Sequence, residues 1–178
     1  MNREDLISQL QGYKSRYHEE MLFASSIVDL LYKEPDCFKR NLLSGHITGS
    51  AWVLNPGFSK TLLIHHKKLD KWLQPGGHAD GEEDLHKVAK SELGEETGVV
   101  NSRLFSEAIF DIDIHEIPKF NKIPKHNHYD IRYLFIVDDA ETLNANHESL
   151  DIRWWLLKDV LNLTNNENSI LRMVKKNV

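Results

Sequence analysis

Apolar residues recur at helical spacing in the first forty residues and at strand-like spacing after them. One helical pattern begins at Leu6, and a second ends where Pro35 interrupts it. Runs typical of strands follow over residues 46–54 and 61–66. The pattern therefore predicts two parts, an N-terminal helical extension over residues 1–40 and a larger domain over residues 41–178.

A single amphipathic helix separates two groups of predicted strands. Residues 84–97 carry apolar side chains on one side, and Gly98 follows as a typical C-terminal stop. The later predicted elements are extended segments over residues 104–117 and 128–137, a strand near residues 152–155 that leads into a polar linker, and a helix over about residues 167–176. This order of elements predicts an α/β protein with one central helix.

Three glutamates, Glu92, Glu95 and Glu96, share one face of the last turns of that helix. At 100° per residue they fall within an arc of roughly 100°. Like charges this close repel each other, and the negative end of the helix dipole adds to the conflict. A divalent cation would remove it, and oxygen ligands favour Mg²⁺ or Mn²⁺. Taken alone, the three residues also fit a solvated acidic helix end, which is the more common arrangement.

The spacing around these glutamates resembles the Nudix hydrolase signature, G-x5-E-x7-R-E-U-x-E-E-x-G-U, in which U is a bulky aliphatic residue. Gly77 is followed after five residues by Glu83, and after seven more by the run SELGEETGV over residues 91–99. Every fixed position matches except the arginine, which is Ser91 here. The resemblance implies an α/β/α sandwich around a mixed β-sheet, and it does not cover the first forty residues.

The resemblance also implies the roles of individual residues. Glu92 and Glu96 would be the principal metal ligands and Glu95 a third, with a backbone carbonyl near Gly76 as a further ligand and Glu83 supporting the site. The family hydrolyses a diphosphate linked to another group, an acid anhydride, with metal ions polarising the phosphoryl oxygens. One of the three helix carboxylates would serve as the catalytic general base, and the sequence does not say which.

Ser91 leaves two hypotheses open. Without the arginine, repulsion among the carboxylates must be met by metal or by another cation, and Lys87 lies one turn away on the same face. The first hypothesis is a Mg²⁺-dependent hydrolase of a nucleoside-diphosphate-type substrate. The second is a Nudix-fold nucleotide-binding or regulatory domain with little or no activity. We expect activity, because all three glutamates are present.

A second polar group follows two predicted strands. Residues alternate in 110–115 and in 128–133, so that Asp111, Asp113 and His115 share one face, as do His128, Asp130 and Arg132. A hairpin with His115 opposite His128 would also pair Asp113 with Asp130 and Asp111 with Arg132. The combined face is either solvent-exposed or a substrate site. In a substrate site, Arg132 would bind phosphate, and both histidines would supply hydrogen bonds.

A few other residues are candidates for contact with a ligand. Trp72 and His78 flank the glycines that precede the helix, and Glu148 lies in a region from which some Nudix proteins bring an accessory carboxylate. Cys37, the single cysteine, cannot form an internal disulfide or a cysteine-type zinc site, and we expect it to be buried as a small hydrophobe. The N-terminal helices could cover the pocket, pack into the core or mediate dimerisation. The resemblance favours a homodimer.

The composition excludes some classes of protein and shows where the net negative charge lies along the chain. The 178 residues include 27 acidic and 22 basic ones, a formal net charge of −5, which argues against a protein that holds duplex nucleic acid by neutralising phosphates. Residues 80–96 contain seven acids and two bases, so this segment alone carries the whole excess. No apolar run approaches the roughly 20 residues needed to cross a bilayer, and the first residues are charged. We therefore expect a cytoplasmic protein that binds a small diphosphate-containing molecule together with cations.

Overall fold

The structure, a computed structural model, describes residues 1–119, 121–147, 149–163 and 168–176. Helices α1 (Arg3–Gln11) and α2 (His18–Lys33) come first, α3 (Leu85–Thr97) is central, and α4 (Leu157–Leu163) and α5 (Asn168–Lys176) come last. The strands are β1 (Gly45–Leu54), β2 (Lys60–His66), β3 (Lys71–Leu73), β4 (Gly76–His78), β5 (Ser102–Leu104), β6 (Asp111–Ile117), β7 (His126–Val137) and β8 (Ser149–Leu156).

The strands of the described chain form one mixed sheet. Its main order is β3-β2-β1-β7-β5, with β4 paired to β1, β6 to β7 and β8 to β2. β1 and β7 run parallel, and the other pairs are antiparallel. Helices cover both faces of the sheet. This architecture confirms the α/β/α sandwich that the resemblance implies.

Alternating side chains along β1 and β7 form a hydrophobic core on each face. On one face, Ile47 of β1 packs in the same cluster as Leu93 of α3. On the other face, Trp52 packs with Leu134 of β7 and Met173 of α5. Because successive strand residues point to opposite faces, this alternation puts α3 on one side of the sheet and the C-terminal helices on the other.

The two N-terminal helices pack into the first core. Leu6 of α1 and Ile27 of α2 are buried in the same cluster as Leu93 of α3 and Ile112 of β6. Of the three roles that the sequence leaves open, the structure therefore supports packing into the core. The division of the chain at residue 40 stays a prediction.

Three short elements differ from the predicted pattern. β3 and β4 lie between the predicted strand over residues 61–66 and the predicted central helix, where the pattern predicts no strand, and α4 lies where it predicts a polar linker. None is longer than seven residues, which is too short to show a clear period. The predicted extended segment over residues 104–117 is divided between β5 and β6, both paired with β7. Cys37 is fully buried, as expected.

Candidate active site at the end of helix α3

Two carboxylates near the C-terminal end of α3 face the glycines of β4. The Gly76 N–H donates a hydrogen bond to Glu96 Oε2 at 2.9 Å, and Glu96 is only 6% exposed. Glu92, one turn earlier, lies against Gly77, since a Cβ atom added at that glycine would stand 2.7 Å from Glu92 Oε2. The structure thus brings Glu92 and Glu96 together around a single glycine pair.

The third glutamate lies on the exposed side of this pair. Ser91 Oγ donates a hydrogen bond of 2.8 Å to Glu95 Oε1, one turn further along the helix. Both side chains are exposed. The serine therefore orients the Glu95 carboxylate without neutralising it, whereas the arginine of the signature would do both.

Glu83 is held by the N-terminal helices. Its carboxylate accepts a hydrogen bond from the Arg3 backbone N–H at 3.0 Å and pairs with Arg3 Nε at 3.5 Å. The same arginine donates to the carbonyl oxygens of Leu31 and Glu34 at the end of α2. Arg3 therefore ties the loop before α3 to both N-terminal helices.

Lys87 does not take the place of the missing arginine. Its Nζ donates a hydrogen bond of 2.6 Å to Glu82 Oε2, in an exposed pair near the start of α3. This hydrogen bond lowers the pKa of Glu82 and raises the pKa of Lys87. The predicted support for the ligand carboxylates is corrected accordingly, because the ammonium group points to a different partner.

The polar faces of β6 and β7 pair in the predicted register. His115 lies opposite His128, and the two strands also pair Asp111 with Arg132. Arg132 is nevertheless only 2% exposed, and its Nε donates to Asp130 at 2.7 Å. Its terminal nitrogens donate to Asp111 at 3.1 Å and to Asp113 at 3.3 Å.

This environment corrects the role predicted for Arg132. A buried guanidinium that already binds three carboxylates cannot also hold a substrate phosphate. Burial alone would raise the pKa of Asp113, but the charge of Arg132, a hydrogen bond from His115 and the charge of Arg172 lower that pKa below its ordinary value. The group is therefore a buried ion network, neither of the two alternatives that the sequence suggests.

The C-terminal helix completes this network. Arg172 of α5 donates to Asp111 through Nε at 2.9 Å and through a terminal nitrogen at 2.8 Å. Lys176 Nζ donates to Asp111 Oδ2 at 2.8 Å and to Glu20 Oε1 of α2 at 2.5 Å. The network therefore joins the sheet, α2 and α5 through charges that are largely removed from water.

Histidines cluster on the same face of the sheet, beside the network. The structure brings together three predicted ligand contacts, His78, His115 and His128, with ring centroids 5.0 Å apart for His78 and His128 and 5.5 Å apart for His115 and His128. His46 and His126, which the sequence reasoning missed, lie 4.9 Å and 5.3 Å from His128. The available signal was that His46 begins a polar alternation, continued by Thr48 and Ser50, of the same kind as the one in β7.

Burial keeps the inner rings of this cluster neutral. Desolvation, followed by the charge of Arg40, lowers the pKa of His78 to about 4. Desolvation and the neighbouring histidines lower the pKa of His128 to about 2. Desolvation also lowers the pKa of His46. At neutral pH these three side chains are hydrogen-bonding groups and potential ligands, not cations.

Trp72, another predicted ligand contact, lies away from the histidine cluster. The Trp72 ring, in β3, stacks on His65 at 5.0 Å and meets Trp155 edge-on at 5.1 Å. The structure therefore places Trp72 at the margin of the second core and not among the clustered histidines. Glu148 lies outside the described residues, and its predicted accessory role stays a prediction.

Comparison with known proteins identifies the family. The model of the NUDIX domain family matches residues 46–176. The chain belongs to the Nudix family. It is 30% identical over 141 residues to a protein of Lactococcus lactis subsp. cremoris (strain MG1363) named "Probable DHNTP pyrophosphohydrolase", a match that covers 78% of this chain and 81% of that protein. The chain is therefore a Nudix hydrolase that acts on acid anhydrides.

Solved structures of other proteins share the fold. The MutT protein from Methanosarcina mazei Go1 matches with a TM-score of 0.60 and 18% identity, over 75% of this chain and 92% of that one. A C. elegans Ap4A hydrolase in a binary complex matches with a TM-score of 0.58 and 16% identity, over 73% and 93% of the two chains. No helix among the described residues has the length and apolar character needed to span a membrane.

The carboxylates of the Nudix helix fit a hard divalent cation. Glu92, Glu95 and Glu96 offer only oxygen donors, which is the ligand type of Mg²⁺ and Mn²⁺. Gly77 supports this fit, because any side chain at that position would displace the Glu92 carboxylate. Glu92 can hold its carboxylate in this position only because residue 77 is a glycine.

Replacing Gly77 by Ala should lower the activity of the protein while leaving the stability of its fold nearly unchanged. The new Cβ would overlap the flexible end of Glu92, so we expect the carboxylate to move and kcat to fall by about 100-fold. The melting temperature should stay nearly constant, because the three atoms nearest the new Cβ all belong to the flexible carboxyl group of Glu92. Turnover of the best substrate from a nucleotide panel and thermal unfolding measure the two effects.

Gly57→Ala is the matched control, because a Cβ there would meet ordinary contacts of 3.7 Å in a surface turn. Its kcat should equal that of the wild type. Full activity of the Gly77→Ala protein would show that the position of the Glu92 carboxylate does not matter for turnover.

Proposed function

We propose that this Nudix protein hydrolyses a diphosphate bond in a nucleotide or a nucleotide-like substrate with the help of Mg²⁺ or Mn²⁺. The observation that carries the proposal is the pair of carboxylates, Glu92 and Glu96, held against Gly76 and Gly77 at the end of α3. Their oxygen donors lie on one ridge of the Nudix helix and would hold a divalent cation, since oxygen is the ligand type of Mg²⁺ and Mn²⁺.

In this proposal the residues of the Nudix helix divide the work. Glu92 and Glu96 hold the cation, with Glu95 as the third carboxylate and a backbone carbonyl near Gly76 as a further donor. The hydrogen bond from Ser91 fixes the orientation of Glu95. The bound ion would polarise phosphoryl oxygens and make water a stronger nucleophile. One of the three carboxylates would accept the proton of that water.

For the substrate itself, we propose dihydroneopterin triphosphate, DHNTP. The support is the Lactococcus relative, whose name states this activity and whose match spans most of both chains. DHNTP carries the phosphoanhydride bonds that the site is proposed to cleave, joined to a pterin in place of a nucleobase. Two further expectations from the sequence, a cytoplasmic location and a homodimer, stay predictions.

Release of pyrophosphate from DHNTP tests the proposal, with the four common nucleoside triphosphates as competing substrates. We expect turnover that requires Mg²⁺ or Mn²⁺, with kcat/KM for DHNTP at least about tenfold above that for any nucleotide, because an enzyme discriminates by differential binding of the transition state. A higher kcat/KM for a nucleotide would replace DHNTP as the substrate. Binding without turnover of any compound would instead support the regulatory alternative suggested by Ser91.

A further inference from the structure

We propose that His46, His78 and His128 form a second metal site, selective for Zn²⁺ or a similar divalent transition metal. One ligand atom from each ring lies within 4.8 Å of the others. Among the described residues, these three histidines are the one group of three or more histidine, cysteine or acidic side chains whose ligand atoms come this close together. It is chemically distinct from the glutamates of the Nudix helix, since imidazole nitrogen favours transition metals over Mg²⁺.

Convergence of the three rings follows from the sheet. His46 and His128 are directly paired across the parallel strands β1 and β7, and His78 of β4 pairs with Thr48, the next residue on the same face of β1. The ligands thus come from three adjacent strands, which lie about 4.8 Å apart. Residues two apart on a single strand stand about 7 Å apart and could not converge in this way.

Hydrogen bonding leaves a ring nitrogen available on two of the three histidines. His46 Nδ1 lies 3.3 Å from the Leu42 carbonyl oxygen, which requires Nδ1 to carry the proton and leaves a lone pair on Nε2. In the described part of the chain, the buried Nε2 atoms of His46 and His128 have no hydrogen-bond partner. A carbonyl that fixes the opposite nitrogen is the usual support of a metal-binding histidine.

The cost of burial favours a metal over bare imidazoles. His46 is 2% exposed, so a polar nitrogen left without a partner there destabilises the folded protein. A metal ion bound to the lone pair would remove that cost. Three protein ligands leave a fourth position of a tetrahedral site for water or a substrate group.

Zn²⁺ titration of the full chain, followed by calorimetry, tests the site. The background is the Glu92→Gln/Glu96→Gln protein, which removes the other proposed metal site. We expect one bound Zn²⁺ per chain, and His78→Ala in the same background should weaken binding by at least about 100-fold, beyond what loss of a supporting group costs. Co²⁺ should give the intense visible absorption of a four-coordinate ion, and His78→Ala should abolish it.

His18→Ala is the matched control, because this exposed histidine begins α2 and lies outside the cluster. It should bind Zn²⁺ like its parent, and far-ultraviolet circular dichroism should show that each variant is folded. Zn²⁺ binding that survives His78→Ala, or that is lost when only the two glutamates are changed, would overturn the proposal. Neither result depends on hydrolysis, so the proposed function stands or falls separately.

Discussion

Replacing Glu96 by Gln should lower kcat for diphosphate hydrolysis by about 100-fold or more. Glu96 is nearly buried, and its Oε2 accepts the Gly76 hydrogen bond. Glutamine keeps the volume and can still accept that hydrogen bond, so the local structure should survive. It loses the negative charge that would hold a divalent cation, and loss of one preorganised charged group typically costs two to three orders of magnitude. Steady-state turnover as a function of Mg²⁺ concentration measures the effect.

Glu82→Gln is the matched control for this substitution. Glu82 lies just before the same helix in an exposed pair with Lys87, outside the proposed ligand set. Its turnover should stay within about twofold of the wild type, as expected for a surface change. If Glu96→Gln retained wild-type turnover and metal dependence, Glu96 would be removed from the proposed metal site.

Replacing Arg132 by Met should destabilise the fold by about 3–5 kcal/mol. Removal of one partner from a buried ion pair leaves its counter-charges without compensation. Here Asp111, Asp113 and Asp130 would each lose a positive partner. Asp111 and Asp113 keep their contacts with Arg172. The loss therefore falls most on Asp130, which is 2% exposed. Equilibrium unfolding in urea at neutral pH measures the change in the free energy of unfolding.

Arg153→Met provides the comparison, because Arg153 pairs with Asp151 in an exposed position on β8. Pairs of that kind contribute about 0–1 kcal/mol. A large effect at Arg132 with a small one at Arg153 would support a structural role for Arg132. An Arg132→Met protein of normal stability but greatly raised KM would restore the phosphate-binding role that the sequence suggested.

The chemistry of the α3 site is visible in the sequence because it is local. Glu92, Glu95 and Glu96 lie within five residues of one helix, so helical geometry alone puts them on one face. The glycines and Glu83 precede them at the spacing of the Nudix signature. The same locality made the register of β6 and β7 predictable, because both strands alternate and a hairpin pairs neighbouring segments.

Burial, in contrast, could not be predicted from local pattern. Alternation correctly puts Asp111 and Arg132 on the same face, but the pattern does not reveal what covers that face. Arg172 and Lys176 arrive from α5, some 60 residues further along the chain, and their contacts turn a polar face into an interior. Single side chains such as Lys87 are equally undetermined, because a flexible ammonium can reach several carboxylates and only the folded chain selects one.

The sequence by itself determined the family, the central helix and the carboxylates that the helix aligns, since all three depend on short spacings along the chain. Only the tertiary structure decided that Arg132 is enclosed, that α1 and α2 belong to the core, and that histidines from three strands converge. The physical reason is that burial and convergence depend on contacts between residues distant in sequence. His46 and His128 are neighbours only because β1 and β7 lie side by side in the sheet.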